Sequence, residues 1–224
     1  MKCILLCAGY HEDKSHALHE IDNEPIILNT INKIEQIKEI DEIYLVTNNT
    51  YYNDFNKLLK NNNSSKKITL INDNVKQPGD ALGAIGDIMY TINIKDIDND
   101  VMIIAGDNWF DFSLIPIVNY FNNKKAPVVC SAKFEDENLL KKFAVAQLNK
   151  DNQIVDLVEK PMYPESNIGI YAIYIYPKEV LYEFNNFLSE GNKPNAPGYF
   201  VQYLYKKAKV YAYNVEGNYK VIEK

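Results

Sequence analysis

A chain of 224 residues is long enough for one substantial α/β core and does not call for a second domain. Hydrophobic residues at 46% and charged residues at 24% describe an ordinary globular protein, and a net charge of -6 argues against broad electrostatic capture of nucleic acid, which needs a basic face. Three cysteines, an odd count, and an N-terminal apolar run too short for a signal peptide or membrane span point to a reduced, cytoplasmic protein with no membrane attachment.

The run Cys3-Ile4-Leu5-Leu6-Cys7, ended by Ala8-Gly9, reads as a central strand entering a glycine turn. From Pro25, the apolar positions Ile26, Ile27, Ile31, Ile34 and Ile37 have helical spacing, with proline suited to the first turn. Strand Ile43 to Thr47, a helix containing Asp54 to Leu59, and strand Ile68 to Ile71 continue a strand-helix-strand rhythm. Gln77 to Gly86 then opens an apolar helix with glycines, a pattern that admits a flat group to the backbone or equally serves close helix-to-sheet packing.

Val101 to Ile104 reads as a buried strand that leads through Ala105-Gly106 to Asp107. In open α/β sheets, ligands collect beyond the carboxyl ends of strands, so Asp107 suits a metal-phosphate ligand; as a cap for the helix expected around Leu114 to Phe121 it is equally plausible. After strand Pro127 to Ala132, the extended segments Phe143 to Leu148, Ile154 to Val158 and Ile168 to Tyr176 follow closely enough to pair without intervening helices. Glu159-Lys160-Pro161 closes the second of these, and spacing alone favours Lys160 as a solvated surface cation. Helices at Val180 to Leu188 and Tyr199 to Lys206 and a strand at Val210 to Tyr213 complete the chain. The reading is a single α/β unit, a Rossmann-like three-layer sandwich with a mostly parallel central sheet (1–132) and a smaller α+β portion (133–224).

Leu6-Cys7-Ala8-Gly9, Gly79 to Gly86, Ala105-Gly106-Asp107-Asn108-x-Phe110, Glu159-Lys160-Pro161 and Ala196 to Phe200, taken in register, resemble the sugar-phosphate nucleotidyltransferases. The resemblance extends to the short-chain branch related to glucose-1-phosphate thymidylyltransferases. The resemblance implies an NTP over Ala8 and Gly9 with its base near Gln77, Gly79 and Gly83, and Asn108 on the same nucleotide. It implies Mg²⁺ at Asp107, and a sugar 1-phosphate held by Lys160 with Glu159, Asn167 and Gly169 about the sugar. The reaction so implied is in-line attack of the sugar phosphate on the α-phosphorus of the NTP, releasing pyrophosphate, and homo-oligomers are compatible with it.

The departures matter as much. Members of that family follow the first Ala-Gly with a loop carrying Thr-Arg-Leu and Pro-Lys; here the loop is Tyr10-His11-Glu12-Asp13-Lys14-Ser15-His16, leaving Lys14 as its candidate catalytic cation. The carboxylate that supplies a second metal ligand in the family corresponds to Val221, with Glu223 two residues beyond, and Ala144 stands where glycine is usual. Loss of two positioned charges of this kind costs about 10² to 10³ in rate each, so a homologue that binds a nucleotide, sugar nucleotide or protein partner without turnover is the alternative. Two other readings are weaker. Cys3, Cys7, His11, His16 and His19 contain zinc-ligand types, and Asp98-Asn99-Asp100 has the form of a glycosyltransferase metal motif but precedes its strand.

Overall fold

The structure is a computed structural model and describes residues 1–11 and 13–222. Its first strand, β1 (Lys2–Leu6), is followed by the small hairpin β2 (Glu20–Ile21) and β3 (Glu24–Pro25), then α1 (Ile26–Glu35), β4 (Glu42–Thr47), α2 (Tyr52–Lys60) and β5 (Lys67–Asn72). Next come α3 (Gly83–Ile94), β6 (Val101–Ala105), β7 (Asn108–Phe110), α4 (Ile115–Lys124) and β8 (Val128–Lys133). The remainder is α5 (Glu137–Leu140), β9 (Ala144–Leu148), β10 (Ile154–Glu159), β11 (Ile168–Tyr176), α6 (Tyr182–Ser189), α7 (Pro197–Leu204), β12 (Tyr211–Asn214) and β13 (Tyr219–Val221).

Successive side chains of a strand point to opposite faces, and β1 shows what that does here. Cys3, Leu5 and Cys7 enter one apolar cluster with Ile27, Ile31 and Ile34 of α1 and Phe121 of α4. Ile4 and Leu6 enter the other, with Ile85 and Ile88 of α3, Phe184 of α6 and Phe200 of α7. The sheet is thus buried on both faces, which accounts for strands that are apolar throughout and for the three layers. Each fully buried isoleucine contributes about 1.5–3 kcal/mol, and α1 alone buries Ile26, Ile27, Ile31 and Ile34. Cys3, Cys7 and Cys130 are buried free thiols.

The strand order runs β10-β9-β11-β6-β1-β4-β5, with β8 beside β11 and β12 beside β8. The β6-β1-β4-β5 portion is parallel, whereas β11 runs antiparallel to β6, β8 and β9. One edge of β11 is shared: Ile173 to Tyr176 pair with β6, and Ile168 to Ile170 pair with β9. Between them, β6 leaves the sheet before β9 begins, and the gap opens at Ala105.

One expectation is corrected at this gap. Asp107 does not cap a helix; it leads into β7, and α4 begins only at Ile115 behind Leu114. The cause is the distant β13, which pairs antiparallel with β7 so that Val221 lies opposite Asn108. Aromatic packing secures the pair: Tyr219 stacks on Tyr171 at 3.8 Å, and its hydroxyl accepts the Ala172 N–H at 3.1 Å.

Candidate active site

The chain moves from β1 to β4 on one side of the sheet, whereas β6 lies on the other, so the strand order changes direction between β1 and β6. Such switch points leave a crevice beyond the strand ends. Here the turns that bound it are interlocked. The Gly106 N–H donates to Leu6 O at 2.9 Å, and a β-carbon on Gly106 would lie 2.3 Å from Cys7 Sγ. The Asn48 side chain donates to Ala8 O at 2.9 Å, and Tyr51 both accepts from His11 N–H and donates to His11 O at 2.9 Å.

Two adjoining cavities occupy the crevice. The first, about 290 Å³, is lined by Ala8, Gly9, Tyr10 and Gly83 and by the carboxyl groups of Asp73, Asp87 and Asp107. Gly83 has φ +76°, and a β-carbon there would meet Pro194 O at 2.8 Å, so the entrance of α3 requires glycine for its own backbone. The second cavity, about 200 Å³, is lined by Asp107, Asn108, Ala144, Glu159, Lys160 and Val221 among others. Asp107 therefore borders both, and Lys160 shares the second with it.

The electrostatics follow from that placement. Burial raises the Asp107 carboxyl above the usual carboxylate range, while nearby His16 and Lys160 pull it down. Burial likewise raises Glu159, with Lys160 opposing. Lys160 itself is exposed and held with φ 48°, its N–H donating to Phe143 O at 3.1 Å. That turn ends β10 and delivers the ammonium to the cavity wall.

The remaining sequence candidates lie elsewhere. Lys14 is exposed and borders neither cavity. Gln77 and Gly79 are exposed beside the first cavity without lining it, and the Gln77 amide donates to Asp80 at 2.7 Å. Asn167 is exposed, its carbonyl accepting the Phe134 N–H at 2.9 Å. A β-carbon on Gly169 would strike the Phe134 ring at 2.4 Å, which makes this a packing glycine that lines neither cavity. Glu223 lies outside the described residues.

Two groupings come forward in the structure, of which sequence reasoning named one in part and missed the other. All three histidines of the chain gather over the glycine turn: His11 stacks on His16 at 3.5 Å, and His19 meets His16 edge-on at 5.2 Å. The sequence reading placed them together, with Cys3 and Cys7, as zinc-ligand types; among the described residues they form no metal site. The second is the acidic pair Asp73 and Asp87, which nothing in the linear pattern joins. Asp98 pairs with Lys178 at 3.5 Å at the start of β6, the far end of the sheet from Asp107.

The donor set decides what metal could be held. Among the described residues no three His, Cys, Asp or Glu side chains converge on a metal site. Asp107 has Val221 rather than a second acid beside β7. One carboxylate fits Mg²⁺ only as an ion that keeps waters and arrives with phosphate oxygens.

Residues 12–219 match the family described as Nucleotidyl transferase. The chain is 27% identical over 124 residues to the glucose-1-phosphate adenylyltransferase of Thermomicrobium roseum, covering 53% of this chain and 28% of that protein. It is 28% identical over 227 residues to the bifunctional protein GlmU of Methanocaldococcus jannaschii, covering 97% of this chain and 50% of that one. The chain thus spans half or less of the length of these curated relatives. Among solved structures, a Bacillus anthracis protein described as a glucose-1-phosphate thymidylyltransferase, in complex with a sucrose, superposes with TM-score 0.81 at 20% identity, covering 97% of this chain and 88% of that one. A UDP-glucose pyrophosphorylase complexed with UDP-glucose gives 0.77 at 16% identity, covering 97% and 91%. At such identities these two superpositions speak to the fold.

Proposed function

The chain belongs to the nucleotidyl transferase family, and we propose that it transfers a nucleoside monophosphate from an NTP to a sugar 1-phosphate, forming an NDP-sugar and pyrophosphate. The observation that carries this reading is the position of Asp107, on the wall common to two cavities of which only the second contains Lys160. In this reading residues 1–132 supply most of the nucleotide cavity, with Asn195 and Pro197 also on its wall, and residues 133–224 most of the sugar-phosphate cavity. A phosphate oxygen of the sugar 1-phosphate attacks the α-phosphorus in line, and the bond from that phosphorus to the bridging oxygen breaks as pyrophosphate departs with the electron pair.

That chemistry asks for positioning and charge neutralisation more than for a general base. Ala8 and Gly9 present backbone to the triphosphate, and Lys160 holds the attacking phosphate against its own repulsion from the NTP. Glu159 accepts hydroxyl hydrogens of the sugar. Asp107 is the residue that would hold Mg²⁺, which supplies charge neutralisation at the α-phosphate when bound. The histidine group over Gly9 occupies the place of the family's Arg and Lys loop. Among the described residues no helix is long and apolar enough to cross a membrane, and the substrates proposed are those of the cytoplasm.

Val221 opposite Asn108 favours a second reading, binding without turnover. Pyrophosphate release from a panel of NTPs and sugar 1-phosphates, with Mg²⁺ and with a chelator, separates the two. Release that the chelator abolishes supports transfer. Silence across the panel with calorimetric NTP binding supports the binding reading, and absence of both refutes each.

A further inference from the structure

One wall of the second cavity is not part of the main sheet. Among the described residues β13 pairs with β7 alone, in a two-stranded sheet apart from the nine-stranded one. Tyr219 and Val221 of β13 line the cavity together with Asp107, and Ile222, the next residue, donates its N–H to Asp107 O at 3.3 Å. Upstream, Val215 is still tied to β8, its N–H donating to Ser131 O at 2.9 Å, whereas Glu216, Gly217 and Asn218 are exposed. A pairing of three residues on each side is short, and two strands by themselves are marginal in water. Something at its ends has to hold it.

Asp111, the residue directly after β7, grips the near end. The Asn218 N–H donates to Asp111 Oδ1 at 2.7 Å, and the Asn218 side-chain amide donates to Oδ2 at 2.6 Å. The Asp111 N–H in turn donates to Asn218 O at 3.2 Å. Bonds to an ionised carboxylate are among the stronger ones, and these hold the Asp111 carboxyl below its usual range. Gly217 makes the approach possible: its φ is +135°, and a β-carbon there would stand 2.6 Å from Asp111 Oδ1 and 3.2 Å from Phe112 Cβ. Asp111 itself lines neither cavity.

We propose that Asp111 is a positioning residue for the second cavity: by clasping Asn218 it fixes β13, and through Tyr219 and Val221 it sets the affinity for the sugar phosphate without touching it. The inference rests on the nucleotidyl-transfer reading of the two cavities. No side chain of β13 lines the first cavity, so loosening the clasp disturbs the wall of the second and leaves that of the first in place.

Hydrogen exchange and calorimetry on the full chain test this together. In Asp111→Ala the Ile222 N–H, at the opposite end of β13 from the clasp, is expected to exchange about ten-fold faster than in wild type. Affinity for a sugar 1-phosphate is expected to fall about ten-fold, with Mg²⁺-NTP affinity held within about two-fold. Asp111→Asn keeps an oxygen for the Asn218 N–H and is expected to recover most of both losses. A folded Asp111→Ala chain, by circular dichroism, with unchanged exchange at Ile222 overturns the clasp whether or not a ligand binds. Faster exchange with unchanged sugar-phosphate affinity, or with equal loss of both affinities, overturns the positioning role alone. A wild-type chain that binds neither ligand overturns the transfer reading and this role with it. Should Asp111→Ala not fold, Asn218→Ala, which removes only the side-chain amide, is read by the same outcomes.

Discussion

The carboxylate of Glu159 lies across the α-carbon of Gly198, so close that a β-carbon on Gly198 would stand 1.7 Å from Glu159 Oε2. Glycine at the entrance of α7 thereby fixes where an acid of β10 can point within the second cavity. The nearest clash is with the end of a flexible side chain that can rotate away, but the Ala144 β-carbon, at 3.0 Å, moves only with its strand.

Gly198→Ala is therefore expected to cost about 1–3 kcal/mol of stability, since the carboxylate turns outward and Ala144 has to shift with its strand. Affinity for a sugar 1-phosphate should fall by about ten-fold, one charged hydrogen bond's worth. Thermal unfolding and calorimetry read the two effects separately. A variant with unchanged sugar-phosphate affinity would remove Glu159 from the site.

Val221→Asp places an acid opposite Asn108, beside the turn that carries Asp107, where Ile222 N–H donates to Asp107 O at 3.3 Å. A second carboxylate there gives Mg²⁺ another protein ligand. Pyrophosphate release should rise by about 10² and reach half-maximum at lower Mg²⁺. An unchanged rate and Mg²⁺ dependence would mean that β13 does not limit metal binding.

The parallel strands and their helices were legible because both faces of the sheet are buried, and runs such as Val101 to Ile104 can sit nowhere else. Asp107 and Lys160 were found as the exits of two strands, and the cleft they share joins them. What stayed hidden depends on long-range pairing. The β7 and β13 strands are short, and each is extended only because the other is present, so local pattern left Asp107 open to a reading as cap of the helix expected around Leu114 to Phe121. Gly169 and Gly79 look alike in sequence, yet one is wedged against Phe134 and the other meets open space. The Asp73 and Asp87 pair escaped notice because a strand end and a helix face meet only after folding.

Asp87 also sets a pH dependence. Its folded carboxyl is raised to about 8, first by burial and then by Asp73, against an ordinary value of 3.8. The folded chain thus holds a proton that the unfolded chain has released between these values. Stability from this group is full below pH 3.8 and is lost as pH rises to about 8, at roughly 1.4 kcal/mol per pH unit over that window. Asp87→Asn should flatten the fall and unfold at higher temperature than wild type at pH 8. Parallel melting profiles of the two chains from pH 5 to 9 would show that Asp87 is not the group responsible.

Asp107 and Lys160 differ in which cavity they border, and their variants should differ accordingly. Lys160 lines only the second, so Lys160→Met should leave Mg²⁺-NTP affinity within about two-fold while weakening sugar 1-phosphate binding by about 10 to 100-fold, the value of a charge-assisted hydrogen bond to phosphate. Asp107 lines both, so Asp107→Asn should weaken Mg²⁺-NTP binding by about ten-fold or more and make what remains insensitive to Mg²⁺. Trp109, the single tryptophan, sits two residues from Asp107 with Lys220 5.2 Å from its ring, so its fluorescence should respond to either ligand. Titrating each ligand into each variant gives four affinities. If Lys160→Met weakens NTP binding as much as Asp107→Asn does, the two cavities act as one compartment, and the division of nucleotide from sugar phosphate between them fails.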